Sequence, residues 1–277
     1  MNATLVGQAA APDLHVMTFN VRRRMNALTW PPADRWPLRR SRVAALLRAE
    51  RPTIVGAQEV LPDQASVMRT ALGDSYRRVG HGRQRGPKGE ACPVFYDASR
   101  VQLRGWEQMA LSDQPEVPGS VSWGNIFPRV FVRAEFRDRA TSHEFTVINT
   151  HLDVFSARAR QKSAEVLHRL IAAHSEPVLL LGDLNASADS TVWRTLRADH
   201  QLVDAWQTAE RHLSAEWATY AGYREPRLGK RIDALLVSPE IRVRNIAINH
   251  AQYGGGWPSD HLPVQALLTL PARKEPT

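Results

Sequence analysis

The chain has 277 residues, 43% of them hydrophobic and 23% charged. This is an ordinary globular composition, which excludes a disordered or collagen-like chain and is long enough to bury about three quarters of the unfolded surface. One cysteine, Cys92, excludes an internal disulfide, and no apolar run approaches the roughly 18 residues of a membrane helix. Lys and Arg total 36 against 28 Asp and Glu, a net charge of +8, which points to an anionic partner such as a phosphate ester, a nucleic acid or an acidic membrane surface.

Residues 1–12 show no basic, apolar leader pattern, so with the lone cysteine they read as the flexible start of a cytoplasmic protein. Short runs rich in Val, Ile and Phe then alternate with helical stripes. Leu14–Val21 reads as a strand. Pro37–Glu50 reads as a helix with Val43, Leu46 and Leu47 on one stripe. The segment Asn20–Arg48 holds eight arginines against Asp34, either a phosphate footprint or a solvated face. Thr53–Ala57 reads as a strand, Pro62–Leu72 as a helix with Ala65, Met68 and Leu72 inward, and Tyr76–Val79, Cys92–Tyr96, Val101–Trp106, Arg129–Phe136 and Glu144–Asn149 as further strands. Ser156 is placed to cap a helix running to about His174. Val178–Leu181 is a strand, Ser190–Ala198 a short helix, and Arg231–Val237, Ile241–His250 and Val264–Leu270 are the last strands. With no repeat or linker, one domain of two face-to-face sheets with helices outside buries this pattern.

Acids, amides and histidines gather at the C-terminal ends of the apolar strands, where side chains project into a cleft. Asn20 ends the first strand, Gln58-Glu59 follow the second, His151 and Asp153 follow Phe145–Ile148, and Asp183 and Asn185 follow Val178–Leu181. Asp233 begins Ala234–Val237, and Asp260-His261 follow a glycine-rich loop. One strand-end acid is commonly turn chemistry. Together they form the inventory for metal-assisted attack on a phosphoester: a carboxylate for Mg²⁺, another to deprotonate water, and histidines for the transferring group.

At these residues the sequence resembles the endonuclease/exonuclease/phosphatase superfamily of metal-dependent phosphoesterases, which includes DNase I-like nucleases. The fragments, in order, are Met17-Thr18-Phe19-Asn20-Val21-Arg22, Gln58-Glu59-Val60, Gly80-His81-Gly82-Arg83, Gly89-Glu90, Pro93-Val94-Phe95-Tyr96, Asn149-Thr150-His151-Leu152-Asp153, Gly182-Asp183-Leu184-Asn185-Ala186, Arg231-Ile232-Asp233 and Ser259-Asp260-His261-Leu262-Pro263-Val264. The stretch from Arg83 to Tyr96 is most similar to compact stand-alone bacterial members. The resemblance implies a four-layered α/β sandwich, with residues 13–271 as one catalytic domain and 272–277 as a flexible end.

The resemblance also implies roles. Glu59 would be the main ligand of Mg²⁺ or Mn²⁺, with Asn20 and Asp260 beside it. Asp183 would deprotonate the attacking water and Asn185 would bind a phosphate oxygen. His261 would contact the phosphate with Asp233 behind it, raising its pKa. His151 would form the other wall and help to neutralise the phosphate, with Glu90 as its partner. Arg22 stands where abasic-site endonucleases of the superfamily carry an acidic ligand, which counts against a second metal.

Further phosphate or substrate contacts are expected from Arg83, Arg129, Tyr96 and Trp257, each with an alternative reading as a packing or surface residue. Cys92, in apolar surroundings, reads as a buried thiol. Ser259, Asp260 and His261 are consecutive and point different ways, so they form no triad. The glycine spacing Gly80-x-Gly82-x-x-x-Gly86 is not a dinucleotide fingerprint, and no His/Cys pair has zinc spacing. The expected function is metal-dependent hydrolysis of a phosphodiester, with nucleic acid among the substrates the charge admits and no protein partner implied. The alternatives are a phosphatase acting on a phosphorylated small molecule or lipid head group, and an inactive nucleic-acid or membrane-surface binding protein.

Overall fold

The computed structural model describes residues 4–271. Thirteen strands form two sheets. The first sheet holds β1 (Asp13–Asn20), β2 (Ile54–Gln58), β3 (Tyr76–Val79), β4 (Val94–Asp97), β10 (Arg211–His212), β12 (Arg242–Ile248) and β13 (Val264–Thr269), in the order β10-β12-β13-β1-β2-β4-β3. The second holds β5 (Val101–Ala110), β6 (Val130–Asp138), β7 (Glu144–His151), β8 (Val178–Asp183), β9 (Val203–Asp204) and β11 (Asp233–Val237), in the order β5-β6-β7-β8-β11-β9. Both are mixed: β1–β2 and β7–β8 run parallel, and most other neighbours antiparallel.

The period of two explains the layers. On β1, Leu14 and Val16 face the second sheet, whereas Met17 and Phe19 face outward. On β8, Leu179 and Leu181 face inward, whereas Val178 and Leu180 face outward. Each outward apolar face needs a cover. Helices α1 (Trp36–Glu50) and α2 (Pro62–Leu72) cover the first sheet through Val43, Leu46, Leu47, Ala65 and Met68. Helices α3 (Ala157–Ala172) and α4 (Thr191–Leu196) cover the second through Ala164, Leu167, Ile171, Val192 and Trp193. A one-turn helix, α5 (Ala205–Thr208), adds Ala205 and Trp206 to the inter-sheet core. The result is the expected four-layered sandwich.

Element boundaries move by a few residues from the sequence expectation, and β9, β10 and α5 are too short to show a period. Ser156 caps α3 as expected, its Oγ accepting from the Ala159 amide at 3.1 Å. The start of the chain differs from the expected free segment. The amides of Leu5, Val6 and Gly7 donate to the Glu50 carboxylate at 2.8–3.1 Å, and Glu50 is fully buried. A buried carboxylate needs donors, and this segment supplies three. Residues 1–3 and 272–277, within the two segments expected to be free, lie outside the described residues.

The sheets approach closely where β2, β7 and β8 end. A Cβ on Gly56 would lie 2.9 Å from Asn149 Oδ1 and from Leu181, and one on Gly182 would lie 2.3 Å from the Thr150 carbonyl. Asn149 is fully buried there: its amide donates to the carbonyls of Ala57, Cys92 and Pro93, and its oxygen accepts from Gln58. This polar bolt fixes the ends of both sheets, from which the site residues project.

Candidate active site

Asn20, Glu59, His151, Asp183, Asn185, Asp260 and His261 meet at that end of the sandwich. β1 and β2 are parallel in register, pairing Asn20 with Gln58, so Asn20 and Glu59 emerge side by side. β7 and β8 pair His151 with Asp183, and β8 and β11 pair Asp183 with Asp233. Sheet register and the loops that follow thus place Glu59, His151, Asp183 and His261 around one cavity of about 450 Å³, with Asn20 and Asp233 bonded behind them.

Asn20 Nδ2 donates to Glu59 Oε1 at 3.1 Å and to Asp183 Oδ2 at 2.9 Å, joining the two sheets. Its Oδ1 accepts from the Arg22 amide at 2.9 Å. The amide therefore faces the carboxylates as a donor, and the oxygen expected to help hold a cation is already engaged. Glu59 Oε2 accepts from the Arg23 amide at 2.9 Å. Burial opposes the charge on Glu59, but these donors with Arg22 and His261 hold its carboxyl below the usual range. Burial, with Asp233 beside it, pushes Asp183 up, against the pull of His261. Burial also raises Asp260, with Glu59 and Asp34 adding to it and His261 and Arg22 opposing.

His261 Nδ1 lies 2.9 Å from Asp233 Oδ2, and its Nε2 lies 3.8 Å from Asp183 Oδ2. Burial disfavours its charge, yet Asp233 and Asp183 together hold it well above the ordinary histidine value. The imidazolium thus points Nε2–H toward the cavity with a carboxylate behind it. His151 behaves differently. Burial first, then Arg129, Arg83 and His261, push it well below the ordinary value. It is a neutral wall at pH 7 and adds no positive charge, contrary to the expectation that it would help to neutralise a phosphate. Its Nε2 lies 3.1 Å from Asn185 Nδ2 and 3.6 Å from Asp183 Oδ2. Asn185 also donates its backbone N–H to Asp183 Oδ1 at 2.9 Å.

The remaining positions sort by contact. Glu90 binds Arg83 at 2.8 Å and Arg23 at 3.2 Å, so the expected His151–Glu90 pair is replaced by ion pairs with stronger cations. The His151 Nδ1 atom is buried with no partner. Arg129 bonds Asp153 through Nε at 3.3 Å, and its buried Nη1 has no partner. Arg83, Glu90 and Arg129 all line the cavity. Tyr96 does not. It is 7% exposed in the inter-sheet core, its ring 5.0 Å from that of Phe136, because its side of β4 faces the second sheet. Trp257 also lies off the cavity wall, packed on the core with Nε1 donating to the His250 carbonyl. Cys92 is buried, and burial pushes its thiol up to about 12.

Several residues escaped sequence reasoning. Arg22 binds Asp34 through two nitrogens and lies 3.6 Å from Asp260, beside the carboxylates. Tyr220 sets its ring edge-on to His261, centroids 5.2 Å apart. Thr219 Oγ1 accepts from the amides of Ile232 and Asp233, fixing the start of β11. Phe127 and Phe155 form an exposed apolar rim on the cavity. Only Arg22 lies in a pattern the sequence shows, the arginine-rich segment Asn20–Arg48, and its place beside the carboxylates is not readable there. One weak signal exists in the backbone: Arg22, Glu59 and Asn185 all have left-handed φ, at 54°, 61° and 48°, and such strain gathers at functional sites.

The donor set fits a divalent cation. Burial and like charge push two acids upward, Asp183 beside Asp233 and Asp260 beside Glu59. A hard cation with oxygen ligands relieves that repulsion. Asp183, Asp233 and His261 also bring ligand-type atoms within 4.8 Å of one another. His261 carries a proton between two carboxylates there, so this trio reads as a relay, and Glu59 with Asp260 is the better cation face.

Residues 17–261 match the model of the endonuclease/exonuclease/phosphatase family. Nocturnin of Drosophila melanogaster is 26% identical over 178 residues, covering 58% of this chain and 26% of nocturnin, so the chain spans about a quarter of that relative's length. A mannosyl-6-phosphatase of Bacteroides thetaiotaomicron superposes with a TM-score of 0.84 at 26% identity, covering 92% of this chain and 99% of that one. A family member from Bacteroides vulgatus gives 0.84 at 29% identity, covering 93% and 99%. Family match, fold and the converging strand ends agree: this chain belongs to the endonuclease/exonuclease/phosphatase family.

Proposed function

We propose that the protein hydrolyses a phosphodiester by in-line attack of water, with a divalent cation, Mg²⁺ or Mn²⁺, held at Glu59 and Asp260. The observation that carries this reading is the convergence of Asp183, His261 and Glu59 on one cavity, with Asp233 behind His261 at 2.9 Å. The cation would supply charge neutralisation for the phosphoryl oxygens. Asp183, whose proton affinity is raised by burial, accepts a proton as the water oxygen bonds to phosphorus and the bond to the leaving alcohol breaks. His261 donates a hydrogen bond from Nε2 to a phosphoryl oxygen, where charge develops. Arg129 and Arg83 line the cavity beside it and supply positive charge for the other oxygens, while Asn185 Nδ2, engaged with the Leu152 carbonyl and His151 Nε2, holds that wall. His151, neutral, closes the wall.

The lining extends beyond the acids and histidines to Phe127, Val154, Phe155, Arg22 and Tyr220, which supports a diester. A monoester needs room for one substituent, a diester for two. A phosphatase is the second reading, supported by the likeness to the mannosyl-6-phosphatase.

The test compares bis-p-nitrophenyl phosphate with p-nitrophenyl phosphate, with Mg²⁺ or Mn²⁺ and with EDTA. Metal-dependent turnover of the diester supports the proposal. Turnover of the monoester alone transfers the site to the phosphatase reading. Turnover of neither, repeated on nucleic acid and phospholipid panels, leaves a binding protein on an inactive scaffold. Among the described residues no helix is long and apolar enough to cross a membrane.

A further inference from the structure

Between β10 and β11 the chain runs from Leu213 to Ile232 with isolated bridges but no helix or strand. Asp233 is the first residue of β11, so regular structure holds it on one side only. Its side chain has little of its own to hold it. Oδ2 lies 2.9 Å from His261 Nδ1, and Oδ1 is buried with no partner among the described residues. The carboxylate behind His261 therefore stands where its backbone puts it.

Two anchors set that backbone. One is Thr219, which takes the amides of Ile232 and Asp233. The other is Arg231, two residues before Asp233 and only 4% exposed. Its Nη1 and Nη2 donate to Asp204 Oδ1 and Oδ2 at 3.2 and 2.7 Å, and its Nε donates to Glu216 at 2.7 Å. Its Cζ lies 5.4 Å from the ring centroid of Trp193 and 5.5 Å from that of Trp206. Trp193 belongs to the core under the helices of the second sheet, and Trp206 to the core between the sheets. A planar fork with a ring contact from each core is a geometry that lysine cannot copy. Asp204 is fixed in turn. Its Oδ1 accepts from the Trp206 amide at 3.0 Å, and its backbone pairs with Leu236 on β11. Arg231 and Leu236 thus both meet Asp204, and Asp233 lies between them in the chain.

A buried ion pair adds little net stability, because desolvation offsets the attraction. Its effect here is on position. We infer that Arg231 is a positioning residue for the reaction: its fork on Asp204 sets the Asp233 carboxylate against His261 Nδ1 and so aims His261 Nε2 into the cavity. The inference rests on the phosphoesterase reading for what His261 then does. It deepens that reading by naming a residue outside the cavity lining on which the geometry depends.

The test uses the full chain as Arg231→Met and Arg231→Lys, each studied at a temperature where it is folded. Turnover of bis-p-nitrophenyl phosphate with Mg²⁺ is read as kcat and KM. In parallel, the Nδ1–H proton of His261, which a short bond to a carboxylate shifts far downfield, is read by NMR at one fixed pH and assigned by its loss in Asp233→Ala. Arg231→Met is expected to lower kcat about 100-fold, the cost of roughly 1 Å of misplacement, with KM little changed. The resonance should move upfield or vanish. Arg231→Lys, which keeps one charged bond to Asp204, should recover part of both. If Arg231→Met does not fold, Asp204→Asn, which removes the charge and keeps the shape, carries the same two readouts. A folded variant with wild-type kcat and an unmoved resonance overturns the inference whatever its melting temperature, since a residue that serves stability alone behaves that way. A fall in kcat with the resonance unmoved overturns it too. Failure of the phosphoesterase reading shows separately: wild type then turns over no diester with metal, while the resonance still reports whether Arg231 places Asp233.

Discussion

Arg39 sits in α1 with no exposed surface, and it spends its guanidinium on the backbone. Nε donates to the Asp34 carbonyl at 3.1 Å, Nη1 to those of Val21 at 2.8 Å and Pro258 at 3.3 Å, and Nη2 to those of Arg22 at 3.1 Å and Arg23 at 2.9 Å. Burial lowers its pKa, against the pull of nearby acids. The loops it ties are those that set the site. The Arg22 amide fixes Asn20, the Arg23 amide fixes Glu59, and Pro258 precedes Ser259-Asp260.

Consider Arg39→Met, which keeps bulk and removes charge. The carbonyls of Arg22 and Arg23 belong to half-exposed and exposed residues and can turn to water. Those of Val21, Asp34 and Pro258 belong to buried residues. Three stranded acceptors cost about 1–3 kcal/mol each. Removing a buried charge returns part of that. The expected net loss is about 3–5 kcal/mol, read as a lower urea midpoint at unchanged m. Lysine has three donors on one nitrogen and cannot span five carbonyls, so Arg39→Lys should fall between. Displacing Glu59 and Asp260 by about 1 Å should lower turnover about 100-fold, measured at a temperature where each variant is folded. A stability loss below about 1 kcal/mol with full activity would refute the reasoning.

Asp183→Asn should lower turnover about 100- to 10,000-fold with a melting temperature near wild type; wild-type turnover would remove Asp183 as the base. Glu59→Gln should raise the Mg²⁺ or Mn²⁺ concentration for half-maximal activity at least about 10-fold, since one hard ligand loses its charge, and an unchanged metal titration would contradict its role. His15 gives a pH-dependent stability away from the site. Burial lowers its pKa from 6.5 to about 4, partly offset by Glu50, and its Nδ1 lies 2.6 Å from the Gly7 carbonyl. The unfolded chain therefore takes up the proton first. The contribution is whole above about pH 6.5, is lost as pH falls to about 4, and amounts to roughly 3 kcal/mol at most. In His15→Gln that difference should vanish from urea melts at pH 7 and pH 4.5; a variant with the same pH slope as wild type would show that His15 titrates normally.

Polar residues at strand ends were readable because strand register is regular. A parallel pair that aligns Asn20 with Gln58 must put Asn20 and Glu59 on one rim, and a period of two fixes which face meets which layer. Tyr96 shows the limit of that logic: it ends an apolar run as the site residues do, yet its register turns it into the core against Phe136. The arginines were harder still. Composition offered a phosphate footprint or a solvated face for Asn20–Arg48. Arg39 is neither, since it is wholly internal and bonded to carbonyls that no sequence pattern reveals. Arg22 pairs with an acid twelve residues on and approaches another 238 away. Charge counts register how many cations a segment holds. Whether each faces solvent, a ligand or the backbone depends on loops brought together from distant segments, and those loops have no period to read. For the same reason His151 and His261 looked alike in sequence and separate electrostatically: Asp233 stands behind one, and Arg129 and Arg83 flank the other.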